Sequence, residues 1–241
     1  MFEILPESTE SCIGFKISGE VETEDYEMLR HLPFEPKMIE LVGWDEKLGD
    51  EIRSWFPQSL LCQRFTFGSQ FQKNLLQYAH SGIRVFHLVA NYHGRGANGE
   101  FVLELIRQAH RTFVDASCRD EVTLLGSGGI IAAEHVPKAI ICGLDAVALD
   151  TVLLMALQTR LIGEGTDQAT SQWQLAKRIT AEWGIQRVKN LLASWRDQML
   201  EVLGAMGLRE VRRLRGEVGR AMFQKDLEHE AFRGISGYED N

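Results

Sequence analysis

The chain has 241 residues, 44% of them hydrophobic and 25% charged, with a formal net charge of −8. That length fits one large domain or two small ones, with enough apolar surface for a core that needs no disulfides. The acidic balance speaks against nucleic acid, whose phosphates call for a basic field, and no apolar run approaches the ~18 residues of a membrane span. Four scattered cysteines (Cys12, Cys62, Cys118, Cys142) with no CxxC spacing suit a reducing compartment. The opening "MFEILPESTES" has neither a basic nor an apolar leader segment, so a cytoplasmic protein without a signal peptide is expected.

In chain order, 2–5 and 13–18 read as a β-hairpin with a long loop. "TEDYEMLRHL" reads as a helix capped by Thr23 and stopped by Pro33 and Pro36. A strand at 37–43, a helix at 44–56 closed by Pro57, a strand at 60–67 and a helix at 69–81 follow. The pattern then becomes regular: strand 83–90, loop 91–99, helix 100–116, strand 121–126, a glycine gap, helix 132–143 bent near Pro137, and strand 145–150. Strand and helix in alternation are the signature of a parallel sheet with right-handed crossovers. Beyond residue 151 the β pattern ends. The reading there is a helix at 151–161, a polar linker at 162–171, and helices at 173–181, 184–204, 208–214 and 217–232, with a frayed end. The arginine-rich stretch 209–220 reads as a solvated helix face, or as a docking surface for an acidic partner or a phosphate.

The gap "LLGSGGIIAAEH" (124–135) poses the functional question. Consecutive glycines let main-chain amides approach a ligand with no Cβ in the way. A helix start aims its unpaired N–H groups and positive dipole end at the same spot. A glycine turn from a parallel strand into a helix is therefore a natural phosphate cradle, and Ser127 adds a hydroxyl. In βα barrels the phosphate site is built from the loops after the last two strands. Ser127, Gly128, Gly129 and Ile130 on one tip, with Asp150 and Thr151 on the next, are the expected binding set for a phosphate-bearing small molecule. The bland reading is a tight turn, with Asp150 capping the next helix.

"RDEVTLLGSGGIIAAEHVPKAIICGLDAVALDTVLLMALQ" (119–158) resembles the end of the FMN-binding βα barrel of glutamate synthases, above all the archaeal-type proteins. "VFHLVANYHGRG" (85–96) is similar to the preceding strand and loop, and 182–223 to the helical tail after the barrel. The resemblance implies FMN at the Ser127–Ile130 loop, with Asp150 and Thr151 close by, and a flavin-dependent oxidoreductase of glutamate synthase type. The first residues, "MFEILPESTESCIGFKISGEVETEDYEML", are similar to small STAS-type (SpoIIAA-like) domains, which bind partners or ligands.

Two features depart from that family. Its cysteine cluster follows the "ALQ" position, but "LQTRLIGEGTDQATSQ" has no cysteine, so no iron–sulfur cluster is expected. A full barrel also needs about 200 residues or more, and the parallel strands counted here are five, the N-terminal hairpin being expected to add none. The fold expectation is therefore α/β: a partial TIM-type βα barrel with a C-terminal helical extension and a small α/β N-terminal part. Its division is 1–80, an FMN-phosphate half at 81–160, and a helical region at 161–241. Uncovered sheet edges point to a homo-oligomer or a partner subunit.

At the predicted strand end, His93 in "NYHGRG" is the candidate donor to a flavin ring or substrate carbonyl, and Arg95 a clamp for a carboxylate or phosphate. The bland alternative for His93 is a loop histidine bonded to backbone. His87, inside a strand, reads as a satisfied core histidine. No serine or cysteine has a motif-placed base. The competing functional reading is a non-catalytic binding or regulatory module that keeps only the scaffold.

Overall fold

The computed structural model describes residues 2–4, 14–18, 35–43, 46–67, 71–162, 172–175 and 179–217, with Arg30 and Arg233 besides. Seven strands form one sheet in sequential order: β1 (Phe2–Ile4), β2 (Gly14–Ser18), β3 (Met38–Val42), β4 (Leu60–Thr66), β5 (Val85–Val89), β6 (Thr123–Ser127) and β7 (Ala146–Val147). β1 runs antiparallel to β2, and every later pair is parallel. The first and last strands do not pair, so the sheet is an open part of a TIM-type barrel. The expected N-terminal hairpin is present, but it does supply a parallel strand: β2 lies against β3, with Phe15 opposite Ile39. The crossover rule that forbids parallel pairing inside a short hairpin does not bar pairing to the next strand along.

Helices alternate with the strands: α1 (Glu46–Trp55), α2 (Phe71–His80), α3 (Val102–Asp115), α4 (His135–Ile141) and α5 (Thr151–Ala156). α3 shows why the sequence folds so. Leu105, Ile106, Ala109 and Phe113 fall on one stripe at helical spacing and are all buried. That stripe meets Phe86 and Leu88 of β5 and Leu124 of β6 in the main core. Fully burying one such Phe or Leu side chain is worth about 1.5–3 kcal/mol. Ile39 and Leu41 of β3 form a second cluster with Leu48 and Ile52 of α1. Pro137 lies in the first turn of α4, where a missing N–H costs the helix nothing, and so it does not bend the helix as its position in a longer one predicted.

The C-terminal half departs further from the helical reading. α5 stops at Ala156, and Arg160–Ile162 (β8) pairs antiparallel with Gln172–Gln174 (β9), where a helix at 173–181 was expected. The long helix α6 (Ala181–Ala205) starts at Thr180, whose hydroxyl accepts the Trp183 amide at 3.3 Å. The expected helix at 208–214 is a short 3-10 turn, Val211–Leu214, whose Leu214 packs with Leu203 on Ile140 and Ile141 of α4. The predicted helices at 23–33 and 217–232 lie outside the described residues, apart from a helical Arg30.

Candidate functional site

The site forms where β5 and β6 end side by side. Val89 is opposite Ser127, and the Ala90 amide donates to the Ser127 carbonyl at 2.9 Å. After β5 the chain turns tightly. The Asn91 side-chain oxygen accepts both the His93 and the Arg95 amides at 2.9 Å, and the Gly94 carbonyl receives the Val102 amide at 2.8 Å, starting α3.

The two glycines after Ser127 fit against that loop. Gly128 and Gly129 have φ of +95° and +71°, and a Cβ on Gly128 would lie 2.3 Å from the Ala90 carbonyl oxygen. A Cβ on Gly129 would lie 2.6 Å from the Gly94 Cα. Backbone packing alone therefore demands both glycines. The same packing leaves their amides unused: among the described residues, the Gly128, Gly129 and Ile130 N–H groups donate to no protein acceptor. The Ile131 amide points at His135 Nδ1 (3.3 Å), which also lies 3.1 Å from the Gly129 carbonyl. His135 thereby braces the turn against α4.

A groove of about 560 Å³ opens beside these amides, walled by Phe101 and Val102 of the α3 start and by His135 and Lys138 of α4. That volume falls within the ~300–1,000 Å³ of small-molecule sites. His93 and Ser127–Ile130 line it together. Arg95 turns away: its guanidinium stacks 5.6 Å over the Phe101 ring and donates to the Gly99 carbonyl at 3.2 Å. Asp150 and Thr151 stand at the tip of the neighbouring strand β7, outside the groove lining, with the Asp150 carboxylate accepting the Thr151 amide at the start of α5.

On the opposite face of the sheet runs a polar chain. β3, β4, β5 and β6 are largely apolar runs, as parallel strands covered on both faces require, yet each carries a polar side chain on this face. His87 Nδ1 lies 2.5 Å from Glu40 Oε2, and His87 Nε2 lies 2.9 Å from Ser127 Oγ. Arg64 donates to the other Glu40 oxygen at 3.1 Å. Glu40, His87 and Ser127 are each exposed by less than a tenth. Burial raises the Glu40 carboxyl pKa, but His87 and Arg64 more than offset it and hold the group below its ordinary value. His87 is the satisfied core histidine that the sequence indicates, and it is also the link between a buried carboxylate and the hydroxyl at the glycine turn. The sequence reading missed Glu40, Arg64 and Lys138. A lone polar residue inside "MIELV" or "VFHLV" was the available signal for Glu40 and His87.

Fold and site define an open βα barrel segment with a glycine turn at the end of its penultimate strand. Residues 91–209 match the family described as a conserved region in glutamate synthase. The archaeal glutamate synthase [NADPH] of Methanocaldococcus jannaschii is 36% identical over 120 residues, covering 46% of this chain and 24% of that protein. The archaeal-type enzyme of Thermotoga neapolitana is 33% identical over 146 residues, covering 58% of this chain and 26% of the relative. This chain thus carries a glutamate synthase-like region, the C-terminal part of the barrel with its helical tail, and spans about a quarter of the length of those relatives. Among solved structures, a single-substitution variant of mandelate oxidase with benzaldehyde superposes with a TM-score of 0.53 at 15% identity, covering 75% of this chain and 54% of the other. The same variant with a monooxide FMN adduct gives 0.52 at 14% identity, covering 75% and 54%. These likenesses establish the barrel-type fold. No helix among the described residues is long and apolar enough to cross a membrane.

Proposed function

We propose that the chain is a glutamate synthase-like flavin-binding domain of oxidoreductase type that seats the FMN phosphate on the amides of Gly128, Gly129 and Ile130. The observation that carries this reading is the set of three adjacent main-chain donors without a protein acceptor, beside a groove of about 560 Å³. It falls within the segment that matches glutamate synthase, and the fold neighbour mandelate oxidase is described with an FMN adduct.

The residues present suit such a group. Main-chain amides at a turn bind phosphate oxygens with charge-assisted hydrogen bonds. Lys138 adds a cation, and Ser127 anchors the start of the turn through the contact of its hydroxyl with His87. Asp150 and Thr151, one strand tip further on, are assigned to the ribityl side. His93, exposed at the groove mouth, is assigned as donor to the ring or to a substrate carbonyl, and Arg95, turned onto Phe101 and the Gly99 carbonyl, as a brace of the 94–101 loop instead of a ligand clamp. Bound here, FMN supplies two-electron redox chemistry at its ring.

In this reading 81–160 is the phosphate-binding half, 1–80 an α/β part in front of it and 161–241 a helical region. The segment 157–172 offers no thiolate where the relatives' cluster cysteines are expected, which supports a domain without its own iron–sulfur cluster that works within a cytoplasmic complex or homo-oligomer. A second reading, a non-catalytic binding module, draws on the packing that by itself accounts for Gly128 and Gly129.

The test is the visible spectrum after desalting, followed by titration with FMN and with riboflavin. A flavin band that survives desalting, with Lys138→Glu weakening FMN about tenfold or more and riboflavin far less, supports the first reading. A colourless protein that takes up no FMN supports the second. Gly128 variants do not discriminate, because their backbone clash acts with or without ligand.

A further inference from the structure

We propose that His110 is a proton-sensitive latch: its uncharged imidazole holds the tail, residues 209–217, against α3 and α4, and protonating the ring loosens that hold. The proposal stands whatever the groove binds.

His110 lies within α3, and three other stretches of chain close around its ring. Arg119, from the short turn before β6, donates its Nε–H to His110 Nδ1 at 3.1 Å. Gly143, between α4 and β7, packs directly against the side chain: a Cβ there would lie 2.3 Å from His110 Cβ and 2.5 Å from Cγ. Gly216 of the tail covers the Nε2 edge, where a Cβ would lie 3.3 Å away. The Gly216 amide is tied in turn to the Ile141 carbonyl of α4 at 3.1 Å.

A guanidinium only donates and keeps its charge. Arg119 is buried, and its other nitrogens are fixed by the Val122 and Gly143 carbonyls and by Asp145, each at 2.8 Å. His110 Nδ1 must therefore offer a lone pair, which places the proton of the neutral ring on Nε2. A second proton has only Nδ1 to go to. It sets an N–H against the N–H of Arg119 and a positive charge beside a buried one. Gly143 leaves the ring no room to withdraw, so relief comes at the Nε2 edge. The piece covering that edge is a turn of a few residues, not a helix or a strand.

The charged and titratable groups around the ring come from each neighbouring element. The turn before β6 supplies Arg119 and Asp120, and Asp145 precedes β7. The tail brings Arg215 and Glu217, and α3 itself carries Arg107 and Arg111 within three residues. Behind α4 stands Cys142, whose thiol is pushed up to about 11 by burial and stays neutral. Burial, then Arg119 and Arg215, holds the His110 pKa below its ordinary value, and Asp145 pulls the other way without prevailing. With the tail loosened, the ring is more exposed and freed of Arg215, so it takes the proton more readily. Docking is therefore complete above the ordinary histidine value of about 6.5 and weakens as pH falls through the folded one. The ion pairs of Arg215 with Asp145 and Asp120 persist there, so the tail opens more often without leaving. Packing carries the effect to the groove. Leu214 of the tail rests with Leu203 on Ile140 and Ile141 of α4, and α4 carries the groove residues His135 and Lys138.

Two measurements test the proposal. In the first, hydrogen exchange at the Gly216 amide is followed by NMR between about pH 7.5 and 5.0 and corrected for the intrinsic pH dependence of exchange. Wild-type protection should fall about fivefold or more across that range. His110→Asn keeps an oxygen near the Nδ1 position and cannot titrate, so its protection should stay level. Every other titrating group is common to the two proteins. Level protection in the wild type, or an equal fall in both, overturns the proposal.

The second measurement leaves the latch intact. The His110 ring is titrated by NMR in the wild type and in Leu214→Ala, which frees the tail with every charge in place, after circular dichroism confirms that the variant is folded. Docking and protonation oppose each other, so the Leu214→Ala midpoint should lie higher. An unmoved midpoint overturns the proposal even where the first measurement agrees. Should His110→Asn lose its protection already at neutral pH, this midpoint decides.

Discussion

Gly128 shows how one position can answer to two demands. Its φ of +95° is rarely adopted by residues with a side chain, and a Cβ would meet the Ala90 oxygen at 2.3 Å. Gly128→Ala is therefore expected to lose about 2–3 kcal/mol of stability in urea unfolding of the ligand-free protein. A loss below about 0.5 kcal/mol would show that the turn relaxes easily. The glycine pair was legible in the sequence as a turn with exposed amides. Its partner surface was not, because Ala90 and Gly94 come from a loop whose approach depends on how β5 and β6 align. The same limit hid the Glu40–His87 contact. Those residues are 47 positions apart, and two parallel ladders set them within hydrogen-bonding reach. A polar side chain inside an apolar strand marks a buried satisfied group, but it does not name its partner.

At the scale of elements, periodicity was a good guide wherever one helix covered one sheet. The α3 stripe and the runs of β3 to β6 are read directly from spacing, and the structure places them as spacing dictates. The reading failed for the short pair β8 and β9. Three-residue strands carry too little alternation to be told from a helix start by spacing alone. The tail contact was likewise unseen, because a 3-10 turn has no stripe to recognise. That turn matters to the fold. Leu214 is fully buried against α4 with Leu203. Leu214→Ala is expected to cost about 3 kcal/mol in thermal or urea unfolding, and amide exchange at the end of α6 should quicken with it. Unchanged exchange in α6 would mean that the helix is held independently of the turn.

Across the whole molecule, Asp145 ties three separate stretches of chain together. Its carboxylate accepts from Arg119 (2.8 Å), from the Leu124 amide (2.8 Å) and from Arg215 of the tail (2.6 Å). Burial raises the Asp145 pKa, but the Leu124 amide and the two arginines outweigh it, and the folded value lies below the ordinary 3.8. A depressed folded pKa gives stability that is complete above the unfolded value and is lost as pH falls through the folded one. Acid should therefore loosen the tail below about pH 4 in the wild type. Asp145→Asn should lose about 3 kcal/mol at neutral pH, because the nearly buried Arg119 is left without its charge partner, and should show a flatter acid limb. Equal acid limbs in the two proteins would remove Asp145 from the account. The shape of the sheet has a consequence of its own. Among the described residues, its terminal strands pair through three residues in β1 and two in β7. Each rim therefore offers an incoming chain little main-chain template, which disfavours runaway stacking of copies strand upon strand. Any assembly this protein enters is left to side-chain surfaces, where the choice of companion is written in sequence and not in the backbone common to all proteins.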